Sequence, residues 1–228
     1  MLIGGFQKMT MLDYPGKLAC TIFTYGCNFR CPFCHNASLV IDEAELIPES
    51  EIFSYLSKRK GMLDGVCITG GEPLLQKDIF EFMKKIKDMG FLVKLDTNGY
   101  LPEKLSEAIS LGLCDYVAMD IKNSREKYPL TTGIEGLDIS KICKSVEILL
   151  MGRVEYEFRT TVVKELHTKE DILKIGEWIR GAEKYFLQSF VDSGNLIQKD
   201  LSALDITSFK ALLPLVAPYV KSCALRGV

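Results

Sequence analysis

Residues 65–96 read GVCITGGEPLLQKDIFEFMKKIKDMGFLVKLD, and this stretch determines the fold class. It begins with a short β-branched run, Gly65–Thr69, which predicts a buried strand. Apolar residues at helical spacing then predict a helix over about Lys77–Met89, ended by Gly90. A second apolar run, Leu92–Asp96, predicts another strand. A strand, a helix and a strand in this order form the unit that joins two parallel strands through a helical crossover.

The same alternation continues in both directions along the chain. Six strand–helix units in about 200 residues predict a single α/β domain, a partial (β/α)6 TIM-like barrel, because a full barrel takes about 250 residues. An open doubly wound sheet is the alternative. The predicted strands are Leu18–Tyr25, Gly65–Thr69, Leu92–Asp96, Tyr116–Asp120, Glu155–Val163 and Lys184–Phe190, and Tyr219–Ala224 is predicted as an extra strand or an extended tail. The predicted helices are Pro48–Lys60, Lys77–Met89, Pro102–Leu111, Ser140–Leu150, one that carries Ile172 to Ile179, and Ile206–Leu213.

Composition and charge exclude several classes of protein. Hydrophobic residues make up 47% of the chain, which is typical of a globular protein and not of a disordered one. The 28 basic and 30 acidic residues balance, so we expect neither nucleic acid nor a membrane surface as a partner. No apolar run approaches the length of a membrane span, and Met1–Leu12 lacks the features of a signal peptide. We therefore expect a cytoplasmic protein.

Three of the eight cysteines follow the first predicted strand, in the order Cys27, Cys31 and Cys34. Disulfides are rare in a reducing compartment, so three thiols within eight positions predict a metal centre. A four-iron cluster normally takes four cysteine ligands, and a local fourth is missing here. A structural zinc site that includes His35 is the alternative, but the second pair of ligands that such sites use is absent. The other five cysteines are predicted to be mainly core residues.

Polar motifs also follow the next three strands. They are Gly70-Gly71-Glu72 after the second strand, Asp96-Thr97-Asn98 after the third and Asp120-Ile121-Lys122 after the fourth. Taken alone, each is explained by a turn or a surface ion pair. The carboxyl ends of parallel strands meet at one end of a barrel, where active sites lie, so their joint placement predicts one site. Arg159, within the fifth strand, needs either a cofactor carboxylate or an internal ion pair as its partner.

The CxxxCxxC spacing resembles the signature of the radical S-adenosylmethionine (SAM) superfamily. This resemblance implies that Cys27, Cys31 and Cys34 hold a four-iron, four-sulfur cluster (4Fe-4S), whose open iron binds SAM. An electron from the cluster then splits the sulfonium and produces a 5′-deoxyadenosyl radical. The resemblance also assigns roles to individual residues. Phe33 lies near the adenine; Gly70, Gly71 and Glu72 contact the methionyl amino group; Asp96 and Asn98 lie at the ribose; Lys122 faces the carboxylate, which Arg159 would share if its partner is the cofactor; and Asp96, Thr97 and Asp120 form a site for a monovalent cation.

The N-terminal segment resembles that of the glycyl-radical-enzyme activases, as do Cys34-His35-Asn36 and the sequence DTNG at Asp96–Gly99. Within that group the chain is most similar to single-cluster activating proteins of anaerobic ribonucleoside-triphosphate reductase. The resemblance implies that Asp13, Tyr14 and Gly16 hold the substrate loop, with Tyr14 in place of a glycine, and that residues 1–17 pack on a barrel formed by residues 18–228, which ends in a helix and a tail.

The expected reaction follows from this second resemblance. It is removal of a hydrogen atom from a glycine of that reductase, with a flavodoxin- or ferredoxin-type protein as the electron donor. Two alternatives remain: a radical SAM enzyme that modifies another peptide or a small molecule, and an iron–sulfur protein that only transfers electrons. An electron carrier needs no ribose or carboxylate site, so Asp96, Asp120 and Lys122 count against the second alternative.

Overall fold

The computed structural model describes residues 1–41, 45–192 and 194–227. The strands in this part of the chain form one sheet. Within this part, eight strands pair in the order in which they occur along the chain, each with the next. They are β1 (Ile3–Thr10), β2 (Ala19–Thr24), β3 (Gly65–Gly70), β4 (Leu92–Thr97), β5 (Tyr116–Asp120), β6 (Glu155–Val162), β7 (Tyr185–Ser189) and β8 (Cys223–Arg226).

The strand directions confirm the predicted partial barrel. β1 pairs with β2 in the antiparallel direction, and all pairs from β2–β3 to β7–β8 are parallel. A doubly wound sheet reverses its strand order at a switch point, whereas this order runs in one direction throughout. β8 adds a further parallel strand in the region where the sequence predicted a strand or a tail.

Helices connect the parallel strands and cover one face of the sheet. In α2 (Ile79–Asp88), Ile79, Phe82, Met83 and Ile86 are buried, which is the face that the sequence predicted. The predicted helix Ile206–Leu213 is divided into two short helices, the second with a proline in its first turn. The helices are α1 (Glu49–Lys58), α2 (Ile79–Asp88), α3 (Pro102–Ser110), α4 (Tyr128–Thr132), α5 (Ile139–Leu150), α6 (Lys169–Trp178), α7 (Ile206–Lys210) and α8 (Leu213–Val216).

The two faces of the parallel strands differ in chemistry because successive side chains alternate between them. On β4, Val93 and Leu95 belong to the main apolar core, whereas Lys94 and Asp96 between and after them are buried polar residues. The same alternation on β3 places Cys67 opposite Lys94 in the register of the two strands. Charged and polar side chains therefore occupy the concave face of the barrel.

The N-terminal segment forms an edge of this sheet. The sequence predicted only that residues 1–17 pack on the barrel, and the structure pairs Ile3–Thr10 with β2 as a strand. Its two consecutive glycines and lack of alternation gave no strand signal. None of the helices in the described ranges is long and apolar enough to cross a membrane.

Candidate functional site

A cavity of about 370 Å³ lies at the carboxyl ends of the parallel strands. This is the end of a βα barrel at which active sites form. The cavity is lined by side chains or backbone of nearly all the residues that the sequence singled out. They are Asp13, Cys27, Phe33, Cys31, Cys34, Gly70, Gly71, Asp96, Thr97, Asn98, Asp120, Lys122 and Arg159, together with Phe29, His35, Asn36, Val40, Thr69, Thr161 and Gln188.

The loop after β2 brings the three cysteines to one wall of this cavity. Cys31 is buried, and Cys27 and Cys34 are half-buried. The loop is fixed by backbone hydrogen bonds: Arg30 N donates to Thr132 O at 2.8 Å, and Gln198 N donates to Pro32 O at 2.9 Å. Burial raises the pKa of the Cys27 thiol to about 11 and that of Cys31 to about 12. Soft, desolvated thiols of this kind ionise readily only when a cation or a metal compensates their charge.

Phe33 and Lys122 form the wall beside the cysteines. The Phe33 ring is 4% exposed, and the Lys122 ammonium lies 5.9 Å from its centroid. An aromatic face beside a fixed positive charge suits a ligand that has both a flat ring and an anionic group.

The two glycines of the Gly70-Gly71-Glu72 motif allow β3 to pass directly against the cysteine loop. A Cβ atom on Gly71 would lie 2.0 Å from Gly26 O, and one on Gly70 would lie 2.4 Å from Thr24 N. Gly70 also has φ +109°, a conformation that other residues rarely adopt. Gly71 N donates to Thr24 O and Glu72 N donates to Gly26 O, each at 2.9 Å. The motif therefore fixes the residue that precedes Cys27.

The carboxylate of Glu72 connects the ends of β3 and β4. It is fully buried and accepts hydrogen bonds from Leu74 N (3.1 Å), Thr97 Oγ1 (2.9 Å) and Asn98 N (2.7 Å). Burial raises the pKa of Glu72 to about 7, although these three donors favour the charged form. Glu72 is not among the residues that line the cavity. In this structure its carboxylate holds the ends of β3 and β4 together, and its expected contact with a methionyl amino group stays a prediction.

Asn98 extends this brace to the first cysteine. Its Nδ2 atom donates to Asn28 Oδ1 at 2.8 Å and lies 3.9 Å from Cys27 Sγ, which also accepts from Phe29 N at 3.4 Å. Asn28 Nδ2 is buried and has no hydrogen-bond partner in the described part of the chain. A buried unpaired donor is costly, and a sulfur-rich acceptor next to Cys27 would satisfy it.

Five charged side chains form a continuous network across β4, β5 and β6. Arg159 Nε donates to Asp120 Oδ1 at 3.0 Å, and Arg159 Nη1 donates to Asp96 Oδ2 at 3.1 Å. Lys94 pairs with the other oxygen of Asp96, and Lys122 Nζ lies 3.0 Å from Asp120 Oδ2. Arg159 is therefore paired with carboxylates inside the protein, and this internal ion pair was one of the two alternatives that the sequence left open.

The network contains three cations and only two carboxylates. The neighbouring charges of Arg159 and Lys122 hold the pKa of Asp120 well below its usual range in spite of burial, and Asp120 in turn raises the pKa of Lys122. Asp120 and Lys122 are therefore held in their charged forms. Because Lys122 and Arg159 both line the cavity, they offer cationic groups to an anionic part of a ligand.

The predicted monovalent cation would lie among Asp96, Thr97 and Asp120. In the structure the guanidinium of Arg159 already connects the two carboxylates, and Thr97 Oγ1 donates its hydrogen to Glu72. No group of three or more His, Cys, Asp or Glu side chains within the described ranges converges as ligands of a single metal ion. The cation stays a prediction that these contacts do not support.

The three predicted substrate residues lie in different places. Asp13 lines the cavity, and its Oδ2 accepts from Thr21 Oγ1 at 2.5 Å. Tyr14 is 4% exposed and packs with Ala19 and Tyr116 at the starts of β2 and β5, the opposite end of the barrel from the cysteines. Gly16 is exposed in the turn that follows. The structure thus brings only Asp13 to the site.

Two residues of the site escaped the sequence analysis. Lys94 is 1% exposed and pairs with Asp96; its place two residues before Asp96, on the same face of an apolar strand, was the available signal. Thr161 lines the cavity from β6, where alternation along the strand would have placed it. Gln188, which the sequence placed at the end of the sixth predicted strand, lines the cavity from β7.

Comparison with known proteins gives a family-level result. Residues 21–179 match the family model described as "Radical SAM superfamily". A Methanocaldococcus jannaschii protein named "Putative glycyl-radical enzyme activating enzyme" is 37% identical over 83% of this chain and 80% of its own. A second protein of that organism with the same description is 28% identical over 78% of this chain and 68% of its own.

Solved structures agree on the fold. SuiB of Streptococcus suis bound to S-adenosylmethionine is similar with a TM-score of 0.68, at 16% identity over 89% of this chain and 48% of that one. A domain of pyruvate-formate lyase-activating enzyme from Bacteroides vulgatus gives a TM-score of 0.56, at 16% identity over 72% of this chain and 99% of that one. At these identities the similarity concerns the fold alone.

Proposed function

The chain belongs to the radical SAM superfamily, and we propose that it is an activating enzyme of a glycyl-radical enzyme. One observation carries this proposal: the three cysteines and the cationic side chains of Lys122 and Arg159 line a single cavity at the carboxyl ends of the strands. The family implies a four-iron cluster and SAM. The names of the two M. jannaschii relatives support the activase assignment.

The residues present fit both groups. Cys27, Cys31 and Cys34 supply three thiolates for a cluster, and the absence of a fourth cysteine in this loop leaves one iron for SAM. The volume of about 370 Å³ is within the range of small-molecule pockets, about 300–1,000 Å³. A reduced cluster bound here supplies the electron that splits SAM into methionine and a 5′-deoxyadenosyl radical.

The residues that line the cavity would bind SAM and orient it. Lys122 offers its ammonium to the SAM carboxylate, and the Phe33 ring offers its face to the adenine. Asp96 and Asn98 lie at the next strand end, within reach of a ribose. Phe29, Phe33 and Val40 contribute an apolar surface that limits water at the reacting end of the cavity.

No general base is needed for the proposed step. The hydrogen leaves the glycine Cα as an atom, with its electron, so the protein need only hold the glycine close to the radical. Asp13 is the substrate-side residue that lines the cavity, and the exposed turn with Gly16 follows it in the chain. We propose that Asp13 alone of the predicted substrate residues contacts the glycine-bearing loop of the partner, because Tyr14 packs at the opposite end of the barrel from the cysteines.

We propose anaerobic ribonucleoside-triphosphate reductase as the glycyl-radical partner, and a flavodoxin- or ferredoxin-type protein as the electron donor. The support is the resemblance in sequence at Asp13–Gly16, Cys34–Asn36 and Asp96–Gly99. A cytoplasmic location is consistent with the cysteine usage, since a reducing compartment keeps thiols free.

The experiment mixes the reconstituted, reduced protein with SAM and the reductase without oxygen, and records the electron paramagnetic resonance spectrum. We expect a glycyl-radical signal with the wild type and none with Cys31→Ala, which removes a cluster ligand. Cleavage of SAM without any glycyl signal would favour an enzyme that modifies another peptide or a small molecule. A fully loaded cluster that leaves SAM intact would support an electron-transfer protein and refute the enzyme.

A further inference from the structure

The backbone of Lys122 is held on both sides by buried side chains. Its N–H donates to Tyr128 Oη at 3.1 Å, and its carbonyl oxygen lies 2.8 Å from His167 Nε2. The Tyr128 hydroxyl in turn donates to Asp120 O at 3.3 Å. Tyr128 is 0% and His167 is 5% exposed. Neither side chain lines the cavity, so neither touches a ligand there.

The surroundings of His167 fix which ring nitrogen carries the hydrogen. The Lys122 carbonyl oxygen can only accept, so Nε2 carries the hydrogen and donates to it. Nδ1 lies 3.1 Å from Val163 N and 3.2 Å from Val163 O, and in the neutral ring it accepts from the N–H. Burial lowers the pKa of His167, which favours this neutral form. The imidazole also packs against the Phe33 ring in an edge-on arrangement, with centroids 6.5 Å apart and planes at 72°. One buried residue thus contacts both Lys122 and Phe33.

A second set of contacts makes this support rigid. Asn123 Nδ2 donates to Thr131 Oγ1 at 2.8 Å and to Leu166 O at 3.0 Å. These bonds connect the loop after β5 to α4 and to the loop after β6. The position of Lys122 is therefore set by two neighbouring segments as well as by its own strand.

We propose that Tyr128 and His167 are positioning residues for SAM, and that they act by fixing the backbone of Lys122 and the ring of Phe33. The inference rests on the proposed function, which assigns the SAM carboxylate to Lys122 and the adenine to Phe33. Binding an anion and a flat ring requires side chains held in place to within a fraction of an ångström. A lysine and a phenylalanine cannot fix their own positions, so supporting residues must hold them.

The test compares Tyr128→Phe and His167→Phe with Tyr156→Phe. Tyr156 is a matched control, because it is 3% exposed and its hydroxyl accepts from Glu183 N at 3.2 Å, as the Tyr128 hydroxyl accepts from Lys122 N. This bond lies near the starts of β6 and β7, at the opposite end of the barrel from Lys122. Each protein is reconstituted, its iron content is measured, and its Kd for SAM is determined by equilibrium dialysis. We expect a Kd about three- to tenfold higher for Tyr128→Phe and His167→Phe, with unchanged iron and with KM affected more than kcat. Tyr156→Phe should bind SAM as the wild type does.

A double-mutant cycle separates positioning from general destabilisation. In a Lys122→Met background, Tyr128→Phe should have no further effect on the Kd, because the charge that it positions is gone. His167→Gln retains a donor for the Lys122 carbonyl and should recover part of the affinity lost in His167→Phe. If the Tyr128 and Tyr156 variants lose affinity equally, or if Tyr128→Phe weakens binding to the same extent without Lys122, the inference is overturned. A wild type that binds no SAM would instead refute the proposed function.

Discussion

Replacing Arg159 by methionine tests the charged network at the centre of the barrel. The guanidinium makes two hydrogen bonds to ionised carboxylates, at 3.0 Å to Asp120 and 3.1 Å to Asp96, and its side chain is 14% exposed. Hydrogen bonds to charged groups contribute about 1.5–3 kcal/mol each, so two contribute about 3–6 kcal/mol. Lys94 and Lys122 still give each carboxylate one cation, so we expect the lower end, about 3 kcal/mol of lost unfolding free energy.

The assay is urea unfolding of the cluster-free protein, followed by circular dichroism and extrapolated linearly to water. Lys144→Met is the control, because the Lys144–Glu103 pair is 57% and 71% exposed and should contribute less than about 1 kcal/mol. Arg159 keeps the pKa of Asp120 low, and this contribution is present above the ordinary carboxyl pKa and is lost progressively as the pH falls below it toward the lower folded-state pKa. The difference between wild type and Arg159→Met should therefore shrink steadily as the pH is lowered from about 5 toward the acid limit of the folded protein. A loss no larger than that of Lys144→Met, with weakened SAM binding, would show that Arg159 serves the cofactor and not the network.

Three further predictions concern the cysteine loop and its braces. Gly71→Ala should lower the iron content after reconstitution, because the new Cβ would lie 2.0 Å from Gly26 O, the carbonyl oxygen that precedes the first ligand cysteine. Gly5→Ala is the control, because its Cβ would meet only the Phe23 side chain, at 3.3 Å, and it should keep its iron. Equal iron content in the two variants would contradict this prediction. Cys31→Ala should abolish the visible absorption of the cluster and Cys143→Ala should leave it, and loss of the cluster in both would show that the ligands were counted wrongly. Burial raises the pKa of Glu72 to about 7, so its stabilising contribution is greatest below its ordinary pKa and is lost as the pH rises through 7. Glu72→Gln cannot titrate at this position, so its free energy of unfolding should rise relative to that of the wild type between about pH 5 and pH 8. A difference in unfolding free energy that does not change with pH would refute the shifted pKa.

The parallel strands β2 to β6 were predictable because each is a short apolar run that an amphipathic helix follows before the next strand. β1 was not, since it is an edge strand whose stability comes from pairing with β2 and whose sequence, IGGFQKMT, contains two glycines. α4 was also missed, because Tyr128–Thr132 is only one turn long and contains a proline and two threonines. Both elements depend on tertiary contacts that no local pattern reports.

In the candidate site, too, some features followed from the sequence and others depend on tertiary packing. The positions of Cys31, Gly71 and Lys122 after β2, β3 and β5 followed from the order of the motifs, since parallel strands end at one edge. The direction of the Glu72 carboxylate and the burial of Tyr14 at the far end of the barrel depend on packing between distant segments. Sequence spacing fixes which strand end a residue occupies, and packing decides which way its side chain points.

Transfer of a hydrogen atom from glycine to the cofactor is the central claim, and isotope labelling tests it directly. The reductase is prepared with deuterium at the glycine Cα and incubated with the reduced, reconstituted protein and SAM, and the 5′-deoxyadenosine formed is analysed by mass spectrometry. The account predicts 5′-deoxyadenosine that carries one deuterium, formed in parallel with the glycyl radical. Unlabelled 5′-deoxyadenosine from a reductase that is fully deuterated at glycine would contradict it.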